Sequence, residues 1–246
     1  MAVRRRQGTE SSRPERPRIR VVVTDVDGTL TDRHRRLDPV AVTAIRAVED
    51  RGVPVVLATG NVLPVALGLH RSLGLSGPIV AENGGLLWTG GHGRRDRVER
   101  LADPKIARAA YRALRRAGVP AERLFTDRWR ESEVALRPTV SVRRIRALLG
   151  DRPLRVESTG FAVHLMDARA GKAAGVARAL RAIGLTNADA AVLGDGDNDV
   201  EMLRAGGWSG SFASGSARAR AAAGFVSRAP YAAGFVEGLK ASGVLR

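Results

Sequence analysis

A chain of 246 residues that is 44% hydrophobic, 27% charged and 4% aromatic can bury a core as one large domain, or as a core with a smaller inserted one. It has no cysteine, which excludes disulfides, thiol nucleophiles and cysteine-ligated zinc; its longest apolar stretch, 52–70, is broken by Gly60, Asn61 and Pro64, which excludes a membrane span. The net charge of +16 raises nucleic acid as a partner, but it is concentrated in two segments: seven Arg against two Glu in 1–20, and seventeen Arg with Lys105 against nine acids in 87–162.

In chain order, residues 1–18 have no hydrophobic periodicity and read as a disordered basic tail; residues 7–20 lack the apolar core of a signal peptide, so the expected compartment is the cytoplasm. Residues 19–24 are β-branched apart from Arg20 and are expected to form a strand buried on both faces. Asp38 and Pro39 open a helix that stops before Gly52; 55–58 is a second strand, a helix runs to about Leu73 with Gly74 closing it, and 78–81 is a third strand. This β-α-β-α-β order predicts a Rossmann-like parallel sheet with helices on its faces.

The pattern then changes. A helix from Asp103 to Gly118, a strand near 134–137, a short helix over 141–149 and a hairpin of 154–157 with 161–166 predict an α+β insertion. From Gly171 helices and strands alternate again: helix to Ile183, strand 190–193, helix from about Asn198, then strand, helix and strand toward Val226 and a closing helix near 234–241. The expected division is an α/β core of 19–86 and 163–246, interrupted by a cap of 87–162.

Two acidic motifs stand at predicted strand ends. Asp25-Val26-Asp27-Gly28-Thr29-Leu30-Thr31 follows the first strand, where two carboxylates spaced i, i+2 would face the crevice in which open α/β sheets bind ligands. Gly194-Asp195-Gly196-Asp197-Asn198-Asp199 follows the 190–193 strand, and so many like charges call for a cation; hard oxygen ligands suit Mg²⁺. Neither motif fits an EF-hand, because the obligatory glycine would fall on Leu30 or Val200. Thr59-Gly60-Asn61 ends the second strand at a helix N-terminus, which favours anions, and Lys172, one of three lysines, opens the helix after the insertion. A Walker loop is excluded, since its first glycine would fall on Met166. Three of the four asparagines, Asn61, Asn83 and Asn198, lie in loops that follow core strands.

Taken together, D-x-D-G-T, T-G-N, a lone Lys and G-D-G-D-N-D, in that order, resemble the haloacid dehalogenase superfamily of phosphohydrolases. The insertion lies where members with a C2-type α/β cap carry it. The runs at 59–64, 76–78, 81–85 and 230–234 further resemble the archaeal-type phosphoglycolate phosphatases of that superfamily. The resemblance implies Asp25 as nucleophile, Asp27 as general acid and base, and Mg²⁺ held by Asp25, the Asp27 carbonyl, Asp195 and Asp199. It implies Thr59, Gly60 and Lys172 as phosphate-binding, a helix N-terminus after Asp27 as a source of further donors, and Asn198 as orienting Lys172 or an acidic ligand.

The expected reaction is hydrolysis of a small phosphomonoester, 2-phosphoglycolate, with a sugar phosphate as the alternative. A nucleic-acid-binding protein on the same scaffold is the alternative of another class, disfavoured because the acidic cluster would repel phosphate without metal and because no RNA-binding signature is present. Nucleic acid is expected only as a nonspecific contact of the tail, membrane is not expected, and a homodimer is left open. Arg128, Arg130 and Arg137 lie in a cap segment that could receive a substrate carboxylate. His34, His70, His92 and His164 show no metal-ligand spacing.

Overall fold

The β-branched run at the start of the regular sequence becomes the middle of a sheet. The computed structural model describes residues 19–91, 93–159 and 161–246; the expected disordered tail, 1–18, lies outside them. The chain begins with β1 (Val21–Thr24), α1 (Pro39–Glu49), β2 (Val55–Ala58), α2 (Leu63–Leu73) and β3 (Ile79–Ala81). Asp38 caps α1 by accepting from the Val40 amide, Pro39 sits where a missing N–H costs nothing, and Gly74 closes α2 with left-handed backbone. A hairpin follows, β4 (Leu86–Gly91) and β5 (Arg94–Arg100). Next come α3 (Pro104–Arg116), β6 (Val134–Leu136), α4 (Val142–Leu149), β7 (Leu154–Ser158) and β8 (Val163–Asp167). The chain ends with α5 (Lys172–Ala182), β9 (Ala190–Leu193), α6 (Val200–Ala205), β10 (Trp208–Ser211), α7 (Ala217–Ala222), β11 (Phe225–Val226) and α8 (Tyr231–Ala241).

The main sheet has the order β11-β10-β9-β1-β2-β3-β4-β5, parallel from β11 to β3 and antiparallel at β4 and β5. Val22 of β1 pairs with Val55 on one side and Ala191 on the other, so β1 is flanked by strands reached in opposite directions along the sheet. That is the switch point at which such sheets bind ligands beyond their carboxyl ends. Period-two alternation divides the strands between two cores. Val22, Val55 and Leu57 pack with Ile45, Ala66 and Phe235 from α1, α2 and α8. Val21, Val23 and Val56 pack with Val176, Leu180 and Leu203 from α5 and α6. Each such side chain, fully buried, contributes about 1.5–3 kcal/mol, and this doubly covered arrangement holds the strand ends still.

A second sheet, β6-β8-β7, is antiparallel and packs with α3 and α4 around Leu114, Ile145 and Leu165. The boundaries expected at 86/87 and 162/163 do not coincide with the limits of the two sheets. The β4–β5 hairpin pairs with β3 and extends the main sheet, whereas β8, expected in the core, is the middle strand of the small one. The hairpin escapes sequence reading because all seven residues of β5 are exposed and six are charged, so it carries no hydrophobic alternation. Its backbone pairing to β4 alone defines it as a strand.

Candidate active site

The acidic motifs meet because β1 and β9 are neighbours. The Asp25 amide donates to the Leu193 carbonyl at 3.0 Å, which fixes the end of one strand against the other. Asp25 is then buried beside Asp195 and Asp199, and one carboxylate oxygen from each of the three lies within 4.8 Å of the others. Lys172, at the first position of α5 and only 2% exposed, donates from Nζ to Asp25 Oδ1 at 2.5 Å and to Asp199 Oδ1 at 2.6 Å. Asp199 Oδ2 accepts from the amides of Asp195 and Gly196 at 3.0 and 2.8 Å. Asp199 thereby anchors both the lysine and its own loop. Thr29 donates to Asp195 Oδ1 at 3.0 Å.

Gly28 is required by this packing. Its φ of +89° is a conformation that side-chain-bearing residues avoid, and a Cβ there would stand 2.3 Å from Asp195 Oδ2. The helix N-terminus expected after Asp27 is absent. Residues 27–30 form a turn, and the Gly28 amide donates to Thr31 Oγ1 at 2.8 Å instead.

The electrostatics are unbalanced. Burial pushes the Asp25 carboxyl well above the usual range; Lys172 opposes that, and the charges of Asp199, Asp195 and Asp27 add to it. Burial, followed by the charge of Asp199, raises Asp195 to about 7, with the Thr29 hydroxyl acting the other way. For Lys172 burial acts downward, but Asp199 and Asp25 outweigh it, so the ammonium is held above its ordinary value. One ammonium faces more than one buried carboxylate, and all the ligand atoms are hard oxygens. Asp25, Asp195 and Asp199 could therefore hold a divalent metal, and the excess negative charge fits one.

Asp27 projects beside this cluster. Asn61 Nδ2 donates to its Oδ2 at 2.7 Å and Arg35 donates to its Oδ1 at 3.0 Å. Thr59 Oγ1, buried, accepts from the Asn61 amide at 3.1 Å and from Nδ2 at 3.3 Å, so Thr59 orients Asn61. Asn198, expected to orient Lys172 or an acidic ligand, bonds to an asparagine. Its Nδ2 donates to Asn83 Oδ1 at 3.1 Å, and Asn83 Nδ2 donates to Glu133 Oε2 at 3.2 Å. The roles of Asn61 and Asn83 were not assigned from sequence, although the scarcity of asparagine and its position after core strands was the available signal.

A cavity of about 570 Å³ opens over Asp25, Asp27 and Asp195. Gly60 lines it from the core, as do Ser158, Thr159 and Phe161 from the β7–β8 hairpin. Its cations are Arg33 and Arg35, from the loop after Thr31. The cap arginines considered from sequence do not line it. Arg130 is buried, ion-pairs with Glu133 and donates to the Gly60 carbonyl at 3.0 Å. Arg128 lies over the Phe125 ring, and Arg137 pairs with exposed Glu122. Glu82 is fully buried and accepts from the Ser132 hydroxyl at 2.6 Å and the Ser132 amide at 2.8 Å, so the loop after β3 is joined to the segment that leads into the small sheet. Burial raises the Glu82 carboxyl despite those bonds. His164, buried in β8, hydrogen-bonds to Glu133 at 2.9 Å and has no part in the acidic cluster.

Three comparisons agree with this geometry. The family of haloacid dehalogenase-like hydrolases matches residues 22–122 and 141–239. A Methanoculleus marisnigri protein named phosphoglycolate phosphatase is 36% identical over 228 residues, covering 90% of this chain and 96% of its own. One of the same name from Methanothermobacter thermautotrophicus is 35% identical over 223 residues, covering 90% and 98%. The crystal structure of Thermoplasma acidophilum 0175 superposes with a TM-score of 0.84 at 27% identity, covering 93% of this chain and all of that one.

Proposed function

The chain belongs to the haloacid dehalogenase-like hydrolases, and from that premise we propose that it is a Mg²⁺-dependent phosphoglycolate phosphatase, releasing glycolate and phosphate from 2-phosphoglycolate. The observation that carries the reading is Asp25, held at 2.5 Å by a buried lysine on the floor of the cavity with Asp27 beside it.

In this reading an Asp25 carboxylate oxygen attacks phosphorus and the bond to the ester oxygen breaks, leaving an aspartyl phosphate. Asp27 gives its proton to the departing alkoxide, then takes one from the water that hydrolyses the acyl phosphate. Asn61 and the turn at Gly28 hold Asp27 in position. Lys172 orients Asp25 and offers its charge to the phosphoryl oxygens, Gly60 lines the cavity, and Thr59 acts from beneath through Asn61. Asp25, Asp195, Asp199 and the Asp27 carbonyl would hold Mg²⁺, whose charge would let an anionic nucleophile meet an anionic ester. The small sheet with α3 and α4, residues 101–168, acts as the cap, and its β7–β8 hairpin closes the cavity on the leaving-group side.

The acidic floor favours a small phosphomonoester accompanied by a cation over a nucleic acid. Among the described residues no helix is long and apolar enough to cross a membrane, and a cytoplasmic enzyme fits that. Phosphate release from 2-phosphoglycolate and from neutral sugar phosphates, with and without Mg²⁺, tests the reading. Faster turnover of the sugar phosphates would transfer it to the sugar-phosphate alternative, and no turnover of either would end it.

A further inference from the structure

The cavity's cations come from the core loop of residues 32–36, and one of them is built into place. We propose that Arg35 is the residue that recognises a carboxylate on the leaving group, bridging it to Asp27; this rests on the phosphatase reading above. The loop is prearranged. Thr31 and Leu37 pair across its base. Asp32 Oδ1 accepts from the amides of His34 and Arg36 at 2.8 and 3.0 Å, and the Arg35 amide donates to the Asp32 carbonyl at 2.9 Å. These bonds hold Arg35 at φ +63°, a left-handed conformation that a long side chain adopts only where its surroundings impose it.

The side chain is fixed from two sides. Its guanidinium carbon lies 4.1 Å from the centre of the Phe161 ring, and one terminal nitrogen is 3.0 Å from Asp27 Oδ1. Stacking on an aromatic face leaves the in-plane N–H donors of a guanidinium free for anions. The Asp27 pair occupies one edge of the fork, and the guanidinium lines the cavity, where its other donors can meet a ligand.

The chemistry of the ester supplies the rest. An acid that protonates the ester oxygen stands within hydrogen-bond reach of it, and in a phosphorylated 2-hydroxy acid the carboxyl carbon is two bonds from that same oxygen. The substrate carboxylate must therefore lie close to Asp27, which becomes a carboxylate once it has given its proton to the ester oxygen, and the two anions then repel unless a cation stands between them. Arg35 is the cation already bonded to Asp27 at that end of the cavity. Arg33 shares the cavity, but its Nε donates to the His34 ring at 2.9 Å, and no carboxylate of the described residues lies within 4 Å of its guanidinium. Its geometry is not tied to the reacting end.

The test compares 2-phosphoglycolate with 2-hydroxyethyl phosphate, which replaces the carboxylate by CH₂OH and keeps the ester. The readout is the ratio of the two kcat/KM values, which cancels any general effect on Asp27 or on folding. In the wild type the ratio should favour 2-phosphoglycolate. Arg35→Gln should reduce it by about 5-fold or more, the scale of a charge pair that keeps contact with solvent, and Arg35→Lys should recover only part because it lacks the planar fork. A ratio that survives Arg35→Gln, or that collapses in Arg33→Gln instead, overturns the assignment while leaving the phosphatase intact. A wild type without preference for 2-phosphoglycolate overturns the substrate reading itself, and the two failures are told apart before any variant is made.

Discussion

Glu133→Gln isolates the polar junction between the small sheet and the core. The Glu133 side chain is 1% exposed, and that of Arg130, its partner, is 2% exposed. Glu133 also meets His164 at 2.9 Å and Asn83 at 3.2 Å. The amide keeps the shape and deletes the charge, leaving a buried guanidinium without its counterion; Arg130 Nε already has no hydrogen-bond partner. Removing one partner of a buried pair costs about 3–5 kcal/mol, a large fraction of the roughly 5–15 kcal/mol that a folded domain has. For a chain of this size that corresponds to a fall in Tm of about 6–20 °C. Glu122→Gln is the matched control. Its Arg137 partner is 3.4 Å away, both side chains are more than half exposed, and the change should stay within about 1 kcal/mol. For Glu133, burial acts upward but the charges of His164 and Arg130 outweigh it and hold the carboxyl below its usual range. A depressed carboxyl stabilises the fold above its unfolded pKa, so the gap between wild type and variant should be full at neutral pH and shrink as pH falls below about 4.5. Urea denaturation at pH 7.5 and pH 4 measures both. A neutral-pH difference under about 1 kcal/mol, or a gap that widens on acidification, refutes the argument.

Asp25→Asn should abolish turnover together with any acid-stable phosphoenzyme, because an amide oxygen is a poor nucleophile; burst kinetics and phosphate release check it. Asp27→Asn should lower kcat by about 10²–10⁴-fold while the thermal transition stays near wild type, the signature of lost proton transfer. Excess chelator should stop the reaction and added Mg²⁺ restore it, so full activity without metal would contradict the reading of the acidic cluster. Gly28→Ala should cost about 1–2 kcal/mol from its positive φ alone, and the clash with Asp195 should weaken the apparent Mg²⁺ affinity in an activity titration as well. Unaltered affinity would mean that Asp195 has room the structure does not give it.

Much of the fold was written in short-range pattern. The run Val21–Thr24 reads as a doubly buried strand because β-branching and unbroken hydrophobicity are local properties, and Asp38 with Pro39, or Gly74, mark helix ends through bonds that span a few residues. The acidic motifs were legible as ligands for the same reason: carboxylates clustered beyond a buried strand need a partner wherever that strand lies. What sequence could not supply was the partner of each loop residue. Asn198 is drawn to Asn83, 115 positions earlier, and not to Lys172. Arg130 is taken by Glu133 and the Gly60 carbonyl, while the cations of the cavity are Arg33 and Arg35. The β4–β5 hairpin exists through its pairing with β3, and it moves the limit of the inserted sheet past Arg100. Periodicity encodes which face of an element avoids water, and that face is set by neighbours a turn or a pleat away. Which arginine meets which anion is set by how whole elements stack, and Arg35 reaches Phe161 across 126 positions of chain only after the small sheet has packed onto the core.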